Sequence, residues 1–191
     1  MRTRQRLLDC TAELVEEVPY RELTSALVTQ RLGLSPPAFY RYFADITDAI
    51  LELTARMGET VSGIAASVRE ADWRADADGA AAALVDATGA FWTRHRALYR
   101  ITDLLAEEGD ARFATVKQRT FAPLNEEMTE ILRAGVSDDR DPVAAAGVLV
   151  ATLIHTTARE PGFAAAGIAT HALRRELARL VAQAIDSCSS V

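Results

Sequence analysis

Residues 24–43, TSALVTQRLGLSPPAFYRYF, constrain this chain more than any other stretch. Thr24 places a side-chain oxygen just ahead of a helix whose first N–H groups lack partners. Leu27, Val28 and Leu32 then recur at inward helical spacing. Gly33 marks the turn, since glycine reaches positive φ without a steric penalty. Ser35 is expected to cap a second helix, with Pro36 at its first position, where a missing N–H costs nothing. Phe39 and Phe43, four residues apart, face inward and leave Tyr40 and Arg41 outward. Two short helices around a tight turn follow. On spacing alone, a plain helical hairpin with its aromatics in a core is also open.

Elsewhere helical periodicity dominates and strand alternation is nearly absent. A first helix is expected over 3–18, burying Leu7, Leu8, Thr11, Leu14, Val15 and Val18 and ending at Pro19. Asp45 caps a longer helix, with Asp48 three residues on as in a capping box. The apolar face of that helix holds Ile46, Ala49, Ile50, Leu53, Met57, Val61 and Ile64. Residues 69–79 read as a polar connection. Further helices are expected over 80–105, 111–134, 143–159 and 168–185, with breaks at 107–110, 135–141 and Pro161-Gly162. The fold class is all-α with about nine helices. The helices divide into a small N-terminal helix-turn-helix unit at 1–47 and a larger helical body at 48–191.

Composition narrows the function. At 49% hydrophobic residues the chain has ample core material, and its net charge of −6 argues against a general nucleic-acid coat protein. Residues 1–55 hold six arginines against eight acids, so any DNA-facing patch must come from geometry. Cys10 and Cys188 have neither metal nor disulfide spacing. No signal peptide is visible. The longest apolar run, 143–154, falls short of the ~20 residues that span a bilayer. A soluble, cytoplasmic protein with no membrane partner is expected. The phosphate loop, Gly-rich nucleotide turn, His-x-x-x-His and Cys/His cluster are all missing from the sequence. The pairs Glu16-Glu17, Glu107-Glu108 and Glu126-Glu127 point about 100° apart on a helix, as on solvated faces. The expectation is no enzyme, no catalytic residue, no cofactor and no metal.

A recognition helix fits the ~12 Å major groove and offers its N-terminal residues to base edges. Here those are Ser35, Pro36, Pro37 and Ala38, of which proline and alanine can pack on a thymine methyl but not hydrogen-bond to a base. Tyr40, Arg41 and Tyr42 suit phosphate contact. Thr24 adds a hydroxyl at a helix N-terminus. The run Thr24, Leu32-Gly33-Leu34-Ser35, Phe39-Tyr40-Arg41-Tyr42-Phe43 and Ile50-Leu51, after an amphipathic first helix, resembles the N-terminal domain of TetR-type transcriptional regulators over residues 7–53. The resemblance implies a two-domain helical regulator, most simply a repressor, binding a palindromic DNA operator as a homodimer. This chain departs from the pattern at three places. Thr47 stands where the family has a phosphate-gripping lysine, Thr29 where it has alanine, and Pro36-Pro37-Ala38 where it has a Lys-x-Gly region. Losing the lysine removes a counterion-release contribution to binding.

Residues 143–154 are apolar nearly all round, which predicts a buried helix. The last helix places Ala172, Leu173, Leu177, Leu180, Val181, Ala184 and Ile185 at core spacing, with Arg174, Arg175 and Arg179 outside. The resemblance implies that these last two helices pair with their copies; a monomer core is the plainer reading. It also implies a hollowed effector site for a small apolar or amphipathic molecule. Candidate residues for it are Phe91, Trp92, His95, Tyr99, Phe121, Asn125, Met128, Thr152 and His155, although aromatics at helical spacing also make ordinary core. His155, in an apolar helix, reads equally as a core histidine satisfied by hydrogen bonds. A second reading of the whole chain is a helical small-molecule or protein-binding module with a degenerate, weakly DNA-binding helix-turn-helix.

Overall fold

The computed structural model describes residues 2–134 and 141–189. Its elements are α1 (Arg2–Glu17), a 3-10 turn (Tyr20–Glu22), α2 (Ser25–Arg31), α3 (Pro37–Tyr40), α4 (Ile46–Glu70) and α5 (Ala77–Glu107). They continue with α6 (Ala111–Thr120), α7 (Ala122–Ala134), α8 (Pro142–Ala158), α9 (Glu160–Ala165) and α10 (Thr170–Ser189). The fold is all-α, with no strand among the described residues. The loop expected over 135–140 and the Cys188 side chain lie outside the described residues.

Proline accounts for two departures from the expected elements. The single helix read over 111–134 is two, α6 and α7, parted at Phe121. Pro123 sits in the first turn of α7. A continuous helix would need its absent N–H and would press its ring on the Arg119 carbonyl. The break read at Pro161-Gly162 holds the short helix α9, with proline in its first turn, where the ring is tolerated.

The chain packs as two compact units, Met1–Glu59 with His95–Thr120, and Thr60–Arg94 with Phe121–Val191. The core of the first holds Leu7, Leu8, Leu14, Val28, Phe39, Ile50, Met57 and Phe113, all essentially sealed from water. Two buried hydroxyls there, Thr54 and Thr102, lie 2.9 Å apart, and each donates back to a carbonyl of its own helix, Ile50 and Leu98. Cys10 is buried with its thiol 3.8 Å from the Val28 carbonyl, and burial pushes that thiol's pKa up.

In the second unit α7 packs along α8, and α10 adds Leu177, Val181, Ala182 and Ile185 to a core of Leu124, Met128, Leu132, Val150 and Leu153. The connection 69–79 is more than a polar linker. Trp73 is buried and its indole N–H donates to the Val68 carbonyl at 2.8 Å. Arg174, expected outside, is largely enclosed. Its Nε and Nη2 donate to Glu160 at 2.7 and 2.8 Å, and its Nη1 to Asp86 at 3.1 Å. The guanidinium lies over Gly89, where a Cβ would come within 2.4 Å of Nη2. Helices α8 and α10 each bury one face and leave apolar side chains outward, Leu180 among those expected at core spacing. Val148 on α8 is 66% exposed and Leu180 on α10 is 46% exposed.

Candidate nucleic-acid interface

The turn between α2 and α3 is built by local chemistry. Thr24 is extended (φ −132°, ψ 155°) and its hydroxyl accepts from the Leu27 N–H at 3.1 Å, the expected cap. Gly33 adopts φ +64°, a left-handed conformation that disfavours other residues. Just after it the Leu34 N–H donates to the Thr29 carbonyl at 2.9 Å. The Thr29 hydroxyl, where the resembled pattern has alanine, is satisfied within α2 by the Ser25 and Ala26 carbonyls, both at 3.0 Å.

The start of α3 differs from expectation. The Ser35 side chain makes no cap; Pro36 takes the cap position with helical angles. The reason is the double proline. Pro37 has no N–H to offer, and the Ala38 N–H is already bound by the Ser35 carbonyl at 2.9 Å. Phe39 is fully buried, with Phe43 at 5.4 Å between ring centroids. Tyr40 is turned outward, 59% exposed. Its hydroxyl lies 2.9 Å from Ser25 Oγ at the start of α2. Sequence reasoning missed Ser25, since a pairing fifteen residues apart leaves no periodic trace; a hydroxyl in the first turn after the Thr24 cap was the available hint. Thr24, Ser25 and Tyr40 thus bring hydroxyls to the N-terminal end of α2. Arg41 is exposed, its guanidinium 6.0 Å from the Tyr42 ring centroid.

At the start of α4, Asp45 Oδ1 accepts from the Asp48 N–H at 2.7 Å and Asp48 Oδ2 from the Ala44 N–H at 3.1 Å. Thr47 sits between these two carboxylates, half-buried. They occupy the positive end of the helix dipole, where a phosphate would otherwise be favoured.

Ion pairing sorts the arginines. Arg4 binds both oxygens of Glu52, with Nη1 at 2.7 Å, and stands 5.0 Å over the Phe43 ring. Arg56 adds a 2.9 Å contact to the same carboxylate. Arg4 and then Arg56 hold the Glu52 carboxyl below its ordinary range. Arg31 pairs with Glu17 at 2.7 Å and Arg21 with Glu22 at 3.5 Å. Among the described residues Arg2, Arg6 and Arg41 enter no ion pair, so the unmatched cations of this segment are few and exposed.

The residues expected around an effector divide. Phe91, Trp92 and Phe121 form one aromatic cluster, with centroids 5.2, 5.7 and 6.3 Å apart. Met128 is buried. Asn125 donates from Nδ2 to the Phe121 carbonyl at 3.2 Å, while its buried Oδ1 has no hydrogen-bond partner. His95 and Tyr99 are half-buried, and burial, then the Asp103 carboxylate, pushes the Tyr99 phenol up. On α8 the Thr152 hydroxyl is taken by the Val148 carbonyl at 2.8 Å. His155 is exposed, its Nδ1 2.9 Å from the Ala151 carbonyl, so it is not a core histidine: one turn after Ala151, its position falls on the outward face of α8.

No cluster of three or more metal-ligating side chains occurs among the described residues, and no helix there is long and apolar enough to cross a membrane. Residues 7–53 match the family model described as bacterial regulatory proteins, tetR family. Residues 64–188 match that of the tetracyclin repressor-like C-terminal domain. No curated protein sequence matches the chain. Among solved structures, the fatty acid degradation regulator FadR from Bacillus halodurans is similar at TM-score 0.70 and 19% identity, covering 93% of each chain. A TetR family transcriptional regulator from Chloroflexus aurantiacus is similar at TM-score 0.59 and 20% identity, over 97% of this chain and 90% of that one. With a DNA-binding domain over its first helices and a family C-terminal domain over most of the remainder, the chain belongs to the TetR family of transcriptional regulators.

Proposed function

We propose that the protein is a ligand-responsive regulator that binds a palindromic operator as a homodimer and is released by a small apolar or amphipathic effector. Residues 1–47 read DNA and residues 48–191 bind effector and partner. The observation that carries this reading is the outward hydroxyl set of Thr24, Ser25 and Tyr40 beside the unpaired Arg41. Such groups grip phosphate and set register, while Ser35, Pro36, Pro37 and Ala38 meet base edges largely through shape and apolar contact. Repression follows if the operator overlaps a promoter. Pairing of α8 and α10 with a second copy covers Val148 and Leu180 and spaces two reading heads about one DNA turn apart, ~34 Å. An effector among Phe91, Trp92, Phe121 and Met128 meets mostly apolar surface, with Asn125 Oδ1 as a placed polar group. It acts only through its differential affinity for two conformations.

The test is a fluorescence titration against the DNA upstream of the protein's own gene, at several salt concentrations. A steep fall in affinity with salt is expected. Tyr40→Phe, which removes the Ser25 contact as well as a phosphate donor, and Arg41→Ala should weaken binding by a similar factor on every sequence bound. A change of base preference in either variant assigns the residue to base reading instead. No binding even at low salt favours the second reading, a helical binding module with a degenerate reading head. The two carboxylates of Asp45 and Asp48 flanking Thr47 are the observation behind that alternative.

A further inference from the structure

The second unit carries an open cleft of about 790 Å³ between the N-terminal part of α5 and α10, lined by residues distinct from the aromatic cluster. Its two walls differ in charge. Along α10, His171, Arg175 and Arg179 follow one another at four-residue spacing, a stripe of about 12 Å at 1.5 Å per residue. Along α5 lie Asp78 and Asp86, with Ala82 and Val85 between them, and Ala178 of α10 completes the apolar part of the lining. Asp86 is already matched, because Arg174 Nη1 donates to it at 3.1 Å while the same guanidinium is clamped on Glu160. Arg174 is therefore a fixed structural part of the cleft, seated over Gly89, and not its free charge.

The free charges are the others. Arg175 is exposed and enters no ion pair among the described residues. Among the described residues Arg179 pairs with Glu176, three residues back on its own helix, an exposed pair of the kind that exchanges readily with other anions. Against them the α5 wall offers one unmatched acid, Asp78. In a chain of net charge −6, a positive stripe above an apolar strip is a local reversal of the overall field.

We infer that this cleft is a binding site for an amphipathic organic anion, its acidic group held by Arg175 and Arg179 with His171 beside them, and its apolar body lying on Ala82, Val85 and Ala178. Arginine suits the role because its planar fork takes a carboxylate or sulfonate through two parallel hydrogen bonds. The site stays open in the proposed dimer. At 100° per residue Ala178 lies about 160° around α10 from the exposed Leu180, so the cleft and the pairing face are on opposite sides of one helix. It goes beyond the effector reading above, which concerns the core aromatics.

Two dyes of similar shape test it, the anionic 1-anilinonaphthalene-8-sulfonate and the neutral N-phenyl-1-naphthylamine, titrated against the full chain by fluorescence. The Arg175→Ala/Arg179→Ala double variant should bind the anionic dye at least tenfold more weakly and the neutral dye unchanged. Ala178→Glu should abolish the arginine-dependent component. Both variants change residues away from the buried core, and circular dichroism melts matching the parent establish that they are folded. Unchanged anionic-dye affinity in the double variant overturns the proposal, as does an equal loss for both dyes. A Phe121→Ala variant separates the two sites. If it removes all anionic-dye binding while the double variant removes none, the dye occupies the core and the cleft site is rejected, with the effector reading intact.

Discussion

Helices α1 and α8 are 16 and 17 residues long, yet they meet solvent in opposite ways. On α1 the buried residues are Leu7, Leu8, Cys10, Thr11, Leu14 and Val15, while Arg2, Gln5, Arg6, Asp9, Glu13, Glu16 and Glu17 take the water. On α8 the buried Ala146, Leu149, Val150, Leu153, Ile154 and Thr157 are backed by an outward face of Val143, Ala144, Gly147, Val148 and Ala151, with His155 at its end. One helix is finished within the chain. The other presents an apolar surface of a kind that marks interaction sites. Periodicity separates buried from exposed only when the second face is polar; where both are apolar, it identifies a helix without saying which face the rest of the chain covers.

The largest expected effect tests the first half of that contrast. Leu14→Ala in α1 should lower unfolding stability by about 2–5 kcal/mol, whereas Val148→Ala in α8 should cost under about 0.5 kcal/mol in the monomer, read from denaturant titration at low concentration. Near-equal losses would erase the distinction. Next, Val148→Glu should halve the mass measured by light scattering at micromolar protein while leaving helix content unchanged; an unchanged mass would place the pairing surface elsewhere. A smaller effect sharpens the role of α1 as a platform for the reading head. Because Arg4 and Arg56 hold the Glu52 carboxyl below its ordinary range, the ionised form contributes stability above the unfolded carboxylate pKa, lost as pH falls through the folded value. Glu52→Gln should therefore be less stable than the parent at pH 7, with the gap closing on acidification. A gap independent of pH would assign the loss to packing. Smallest is Thr24→Ala, expected to cost about 1 kcal/mol through the lost cap, measured by thermal melting.

The reading head was legible because its signals are local. Thr24, Gly33, Phe39 and Phe43 each act within a few residues of themselves, and the structure places all four as expected. Ser35 is a cap residue by type, but of the two N–H positions a cap side chain reaches, Pro37 has none and that of Ala38 is held by the Ser35 carbonyl. The split at Phe121 was legible in principle, since Pro123 forbids the continuous helix read there. Arg174 was not. An arginine between Arg175 and Leu173 reads as solvent-facing, and its enclosure depends on Glu160, Asp86 and Gly89, fourteen to eighty-eight residues away.

By itself, then, the sequence determined the helical class, the turn that makes the reading head and the family, because caps, proline, glycine and the 3.6-residue period act over one or two turns of chain. Tertiary structure alone decided the Ser25–Tyr40 hydroxyl pair, the Arg4–Glu52–Arg56 network, the enclosure of Arg174 and which face of α8 is left outward. Each of these depends on groups brought together across long separations, where the free energy comes from contact and burial and leaves no pattern along the chain.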